Sequence, residues 1–283
     1  MYVAFGSFEF GDNTLYNISS IDGLDSLPEV TIGIAPKPRR NGSWLGGKIT
    51  SKRVITIELE VLGDPTDSYL TTNPSRTIKR AMALSDIEIP LVFDLGYGEE
   101  PAMVMASVTA FDMPHIAGYH KRRPATIEFT CTDTTIHSAA PRAQQVGPAV
   151  PATGNDYGLD YGSDYAMATG VSGSFMASNS GNANAQVVYE IKGPVATPAI
   201  SLIDAAGSRV TTFNLNLATS DRLIIDTRAN TVLLNGADRF GSATGALVSQ
   251  LTLRPGRTEV GLLGTSSSPT LAYLNATWRD ASN

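Results

Sequence analysis

In RVITIELEV, residues 53–61, apolar and polar positions alternate. Ile55, Ile57, Leu59 and Val61 fall on one face, and Thr56, Glu58 and Glu60 on the other. A period of two predicts a strand half-buried against a core. ATIEFTCTD repeats the pattern, with Ala125, Ile127, Phe129 and Cys131 inward. EIPLVFDL and AMVMASVTAF are two more strand candidates, the second apolar on both faces. One segment has helical spacing instead. In NPSRTIKRAMALS, 73–85, Asn73 suits the N-cap, Pro74 suits the first helical position, and Ile78, Ala81 and Met82 share a face.

Downstream of residue 170 nearly every segment reads as strand: AQVVYEIKG, AISLID running into the turn AAGS, VTTFNLNLA, QLTLRPG and LAYLNATWRD. In VTTFNLNLA the apolar residues Phe213, Leu215 and Leu217 alternate with Asn214 and Asn216. In LAYLNATWRD, Ala272, Leu274, Ala276 and Trp278 share a face. Short strands with turn signals every 8–12 residues suggest a β-sandwich or barrel. DRLIIDTRANTVLLNGADRF, 221–240, raises the question of catalysis, because Asp226 sits at the end of an apolar run. Leu223 and Ile225 face one way, Thr227–Asn230 turns, Val232 and Leu234 return, and Asn235-Gly236 turns again. With no His, Lys or second carboxylate at a useful spacing, Asp226 reads as turn chemistry.

The periodicity fails in 138–170, a stretch rich in Pro, small residues and a short Asp-Tyr-Gly repeat. It reads as a linker. The expected organisation is therefore a domain at 1–137, a linker at 138–165 and a second domain at 166–283. An apolar fraction of 42% over 283 residues supports real cores, and 17% charged residues excludes a disordered chain. The net charge of −6 argues against a nucleic-acid binder. Its distribution is uneven: residues 1–137 carry 12 basic and 17 acidic groups, and 138–283 carry 9 and 10. No apolar run approaches the roughly 20 residues of a membrane span. MYVAFGSFEFGD lacks a basic start and meets Glu9, so no signal peptide is read, and synthesis in a cytoplasm is expected.

Candidate chemistry is sparse. Cys131 is the one cysteine; it can make no intrachain disulfide and shares the inward face of its strand, as a core thiol would. His115 and His120 are five apart, not at the helical zinc spacing, and His137 is the third histidine. Asp156, Asp160 and Asp164 do not fit a calcium loop. No nucleophile elbow, phosphate-binding loop or dinucleotide fingerprint occurs; GSATG at 241–245 lacks the lysine. No cofactor or metal is expected. PKPRRNGSWLGGK, 36–48, is the loop that stands out, with Arg39, Arg40, Trp44 and three glycines. Two readings stay open: a solvated loop with Trp44 folded back onto the sheet, or an arm between subunits, since Arg and Trp are typical interface anchors.

The order of pieces resembles a known family. FGSFEFGD, YNISSIDGLD, PKPRRNGSW, KRVITIELEVLGD, the single helix, IPLVF and RRPATIEFTCTD follow one another as in the N-terminal belt domain of distal tail proteins (Dit) of long-tailed siphophages. VYEIKGPVATPAISLID, DRLIIDTRANTVLLNG, LTLRPGRTEV and ATWRDAS resemble that family's galectin-like C-terminal domain. The resemblance covers nearly the whole chain except the linker. It implies a mainly β fold: a belt domain of β-sandwich or split-barrel type with one α-helix, then a galectin-like antiparallel β-sandwich. It also implies a non-enzymatic, structural role. Six copies would form a homo-hexameric ring at the tail tip of the virion, made by self-association of the belt domains. The ring would join the tail tube protein to the tip hub and to fibre or baseplate proteins. DNA would pass through the lumen without specific binding, which suits an acidic N-terminal half.

Two other functions compete. The outer sandwich could be a carbohydrate-binding module recognising the host cell wall, or distant carboxylates could act as a hydrolase. Against a galectin-type sugar site, residues 138–283 contain no His, and their only tryptophan, Trp278, has the period of a core position.

Overall fold

The computed structural model describes residues 1–63, 72–96, 98, 100–114, 122–149 and 173–283. His115, His120 and the Asp156–Asp164 repeat lie outside the described residues. The chain forms two compact units, Met1–Ala139 and Ala140–Ser282.

The first unit contains β1 (Tyr2–Phe5), β2 (Phe8–Gly11), β3 (Tyr16–Asp22), β4 (Val30–Pro36), β5 (Ser43–Thr50), β6 (Arg53–Leu62), α1 (Thr72–Ala81), β7 (Ile89–Asp94), β8 (Ala102–Asp112), β9 (Arg122–Cys131) and β10 (Ile136–Ser138). Seven strands form one antiparallel path, β2-β1-β7-β8-β9-β6-β3. β8 serves two neighbours in turn: Ala102–Ala106 pair with β7, and Ser107–Asp112 with β9 through a bulge between Val108 and Ala110. A bulge bends its strand and increases twist, which curves the sheet around its core. The alternation read in β6 and β9 is the core pattern: Ile55, Ile57, Leu59, Val61, Ala125, Ile127, Phe129 and Cys131 are all buried. Phe5 packs on Phe129 with ring centroids 4.9 Å apart. The α-helix lays Ile78, and Met82 just beyond its end, against this core, and the Tyr16 hydroxyl donates to the Pro74 carbonyl at 3.1 Å. The helix begins at Thr72, so Asn73 is inside it rather than at its cap, a boundary shift of the usual size.

The second unit contains β11 (Arg142–Val146), β12 (Ser174–Asn179), β13 (Val187–Lys192), β14 (Val195–Asp204), β15 (Gly207–Phe213), β16 (Asn216–Leu217), β17 (Arg222–Asp226), β18 (Thr231–Leu234), β19 (Ala237–Asp238), β20 (Ala243–Gly245), β21 (Gly256–Thr265), β22 (Tyr273–Trp278) and β23 (Ala281–Ser282). Two antiparallel sheets, β11-β22-β13-β17-β18-β19 and β12-β21-β14-β15-β20, enclose Tyr189, Phe213, Leu223, Ile225, Leu262, Leu274 and Trp278. The mainly β expectation holds in both units, and α1 is the one α-helix among the described residues.

Three local expectations are corrected. Residues 142–146, expected within the linker, form β11 and pair with β22 from Arg142↔Trp278 to Val146↔Leu274. RAQQV carries no apolar alternation because it is an edge strand with little burial. QLTLRPG is not a strand: Val248–Gln250 is a 3₁₀ turn and only Leu253 makes an isolated bridge, to Ala185. VTTFNLNLA is interrupted after Phe213, and Leu217 resumes in β16 beside β14.

The 221–240 stretch folds as read. β17 and β18 pair from Leu223↔Leu234 to Asp226↔Thr231. Asp226 Oδ1 accepts from the backbone N–H of Arg228 at 2.8 Å and Ala229 at 3.0 Å. Its carboxylate is a turn cap.

A candidate subunit interface

β4 and β5 form a sheet of their own, and this hairpin holds the sequence-predicted interface residues. The segment 36–48, read as a loop, is largely strand: Trp44 is the second residue of β5 and pairs with Ala35. Glycine obscured this. Gly33 on β4 faces Gly46 and Gly47 on β5, where the register shifts between Ile32 and Ile34. A Cβ on Gly46 would come within 2.8 Å of the Gly33 carbonyl oxygen, so the close approach of the strands requires glycine there.

Every residue of both strands is exposed. Trp44 is 63% exposed, Leu45 69% and Ile49 70%. Trp44 therefore does not fold back onto the domain; its ring carries the Lys37 ammonium 5.0 Å from its centroid. Val30, Ile32 and Ile34 alternate onto one face, joined by Leu45 opposite Ile34; Trp44 and Ile49 stand on the other. Both faces are thus apolar and uncovered. At the tip, Arg39 turns the chain with φ 57° and Gly42 follows with φ 102°. Among the described residues, neither Arg39 nor Arg40 has a hydrogen-bonding or ionic partner within the chain.

The arm is tied at its foot. Glu29 N donates to Lys52 O at 3.1 Å, Ser51 N donates to Glu29 O at 2.9 Å, and the Ser51 hydroxyl donates to the Glu29 carboxylate at 3.1 Å. Just beyond, Arg53 is 1% exposed and donates to the carbonyls of Gly23, Leu24, Ser26 and Thr134. Burial pulls its guanidinium below the usual arginine value, with Cys131 and Asp25 acting in the opposite sense. The sequence reading did not single out Arg53; its only signal was a charged residue at a strand start just after the arm.

Charge is segregated along this unit. The arm, 29–52, carries Lys37, Arg39, Arg40, Lys48 and Lys52 against Glu29 alone. The remainder of 1–137 carries 7 basic and 16 acidic residues.

Among the described residues no group of three or more His, Cys, Asp or Glu is placed to hold a metal ion. His137 is buried, with Nε2 3.7 Å from Asp133. Trp278, the tryptophan a sugar platform would need, is buried in the sandwich core and its Nε1 donates to the Ser178 carbonyl at 3.0 Å.

The fold of this two-unit β chain is found in solved structures. Residues 180–278 match the family described as siphovirus-type tail component, C-terminal domain. Over 99% of its length the chain superposes on 98% of the Dit protein (gp 19.1) of phage SPP1, with a TM-score of 0.67 and 12% identity. That protein is described as a paradigm of the hub adsorption apparatus in phages infecting Gram-positive bacteria. A chain of the phage P2 baseplate in its activated conformation with Ca aligns over 98% of this chain and 97% of its own, at 13% identity and a TM-score of 0.48. No curated protein matches the sequence. The resemblance to the distal tail family holds: residues 180–278 match the model of its C-terminal domain, and the whole chain has the fold of the SPP1 Dit protein.

Proposed function

We propose that this chain is a structural component of a phage tail tip, and that its first unit closes a ring, six copies around, by laying the arm of one copy on the body of the next. The observation that carries this reading is the arm itself. A two-stranded hairpin alone in water is marginally stable at best, and this one exposes Ile34, Trp44, Leu45 and Ile49 with no cover from the described residues of its own chain. Full burial of each would contribute about 1.5–3 kcal/mol. A ring needs a heterologous contact, one patch meeting a different patch on the next copy. The basic arm and the acidic remainder of the unit are two such patches, and their opposite sign sets the docking sense.

In this reading the ring joins the tail tube to the tip hub and to fibres or baseplate proteins of the virion, after synthesis in the host cytoplasm. DNA crosses the lumen, whose acidic walls discourage sticking. The chain performs no catalysis. The fold shared with SPP1 Dit and the family match of residues 180–278 support the tail-tip setting. The rival reading, a galectin-type sugar module, loses support from the burial of Trp278.

The test is the mass of the full chain in solution with a negative-stain image, repeated on the Arg39→Ala/Arg40→Ala/Trp44→Ala variant. A closed multimer that the triple variant loses supports the reading. Assembly untouched by the triple variant would remove the arm from the interface. If the free chain is monomeric, imaging of assembled tails decides whether the tube templates the ring.

A further inference from the structure

In the sandwich unit, Asn184, Arg209, Ser249, Gln250, Thr252 and Arg254 enclose an open cleft of about 320 Å³. Its charge is set by three groups. Arg209 Nη2 donates to Asp204 Oδ2 at 2.5 Å, and Arg254 Nη1 donates to Asp204 Oδ1 at 3.1 Å. Burial opposes ionisation of Asp204, but the Ala206 N–H and the two guanidiniums prevail and hold it below the usual carboxylate value. One carboxylate therefore faces two permanent cations, leaving a surplus positive charge.

The two arginines are not equivalent. Arg209 is committed to the fold: beyond Asp204, its Nη1 donates to the carbonyls of Gln250 and Thr252, tying the β14–β15 turn to the segment before β21. Arg254 is 39% exposed, and among the described residues only its Nη1 is engaged, which leaves its other N–H groups available to a ligand. Without Arg254, Asp204 keeps a partner on each oxygen, Arg209 on Oδ2 and the Ala206 N–H at 2.9 Å on Oδ1. Among the described residues, the side chains of Asn184, Ser249 and Thr252 make no hydrogen bond within the chain. Gln250 uses only its Oε1, which accepts from Leu247 N at 3.3 Å.

We propose that this cleft binds an oxyanion carried on a small polyol, the chemistry shared by a polyol phosphate and a sugar acid, with Arg254 holding the anion and Asn184, Ser249 and Thr252 holding the hydroxyls. The surplus cation selects an anion, and guanidinium geometry suits carboxylate or phosphate. The amide and hydroxyl groups both donate and accept, as sugar and polyol hydroxyls do. The volume accommodates one such unit, and the lining offers no aromatic face on which a neutral ring could stack. An acidic protein side chain would engage Arg254 and leave the hydroxyl and amide groups unmatched. The cleft belongs to the second unit and the arm to the first.

The test titrates the full-length protein at low salt with glycerol 1-phosphate, glucuronate, inorganic phosphate and glucose, read by calorimetry. One saturable site per chain for glycerol 1-phosphate or glucuronate, with glucose inert, is the expected result. Preference for the first assigns a polyol phosphate source; preference for the second assigns a sugar acid. Arg254→Gln weakens binding about tenfold or more, as loss of a charge-assisted contact should, while its urea midpoint stays at the native value. Asn184→Ala weakens glycerol 1-phosphate but not inorganic phosphate. The proposal is overturned by an absence of saturable binding at millimolar concentration. It is equally overturned by undiminished affinity in Arg254→Gln, by inorganic phosphate binding as tightly as glycerol 1-phosphate, or by tighter capture of a glutamate-rich peptide.

Discussion

Arg53 Nη1 donates to the Leu24 carbonyl at 2.8 Å, and the two residues flank the arm on either side. The same guanidinium takes the carbonyls of Gly23, Ser26 and Thr134, so one buried cation ties the strand that leaves the arm to the loop that enters it. Arg53→Met should strand these carbonyls, those of Leu24 and Thr134 buried, without a donor. Each bond to a charged group contributes about 1.5–3 kcal/mol, non-additively, so a loss of about 3 kcal/mol is expected in urea unfolding. Because the bonds sit at the arm's root, limited proteolysis should quicken at 26–29 and 51–53 before the rest of the unit is cut. Loss of stability with unchanged cleavage at the root would deny the clamp its role in holding the arm.

Cys131 is buried beside this clamp, paired across β6 and β9 with Arg53. Burial pushes its thiol up from 9.0 to about 11, with Glu88 adding to the shift and Arg53 opposing it. At neutral pH it should stay protonated and resist thiol reagents in the native protein, reacting only on unfolding. The folded state holds the proton more tightly than the unfolded chain. Stability should therefore be unaffected below pH 9 and fall as pH rises from about 9 to about 11. Cys131→Ala should flatten that part of the pH profile. Rapid labelling of native protein at pH 8 would show the thiol to be accessible.

These two residues mark how far the sequence could be read. Cys131 was legible because its strand alternates strictly, so its neighbours Phe129 and Ile127 assign its face. Arg53 was not, since burial of a cation depends on carbonyls from residues 23–26 and 134 that no local pattern reveals. The arm was half legible: Arg39, Arg40 and Trp44 stood out by type, but Gly33, Gly46 and Gly47 suppressed the strand signal. The cleft around Arg254 was not legible, because β14, β15 and the 248–254 segment meet there only through the sheet topology.

Trp278 should behave as core. Trp278→Ala removes a large buried side chain and its bond to the Ser178 carbonyl, and a cost of about 3–5 kcal/mol is expected in urea unfolding. A galactoside titrated into the native protein should show no saturable signal quenching tryptophan fluorescence. Galactoside binding abolished by a Trp278 variant that keeps its unfolding midpoint would contradict the core assignment.

Asp226 separates turn chemistry from catalysis. Its Oδ1 accepts from two N–H groups of the β17–β18 turn. Asp226→Asn keeps an acceptor oxygen and should leave stability within about 0.5 kcal/mol, whereas Asp226→Ala should lose about 1 kcal/mol. Thermal unfolding distinguishes them. Equal losses in both variants would mean that the charge, not the cap, is what the fold uses.

The arm interface should have two separable components, which salt and mutation resolve. Arg39 and Arg40 act through charge, against a unit whose remainder carries 16 acidic and 7 basic residues. Trp44, Leu45 and Ile49 act through burial of surface that is now exposed. Raising salt from about 0.05 M to about 0.5 M shortens the screening length severalfold and should slow assembly and shift it to higher protein concentration. Arg39→Ala/Arg40→Ala should lower assembly at low salt and lose most of the salt response. Trp44→Ala should lower assembly by about 2 kcal/mol or more per interface, an anchor-type loss, and keep the salt response of the parent. Because closure couples the interfaces, either loss should appear as a sharp fall in closed rings, not a gradual one. Light scattering across concentration at the two salt levels reads both components. A salt response that survives in the double arginine variant would place the electrostatic contact elsewhere on the unit.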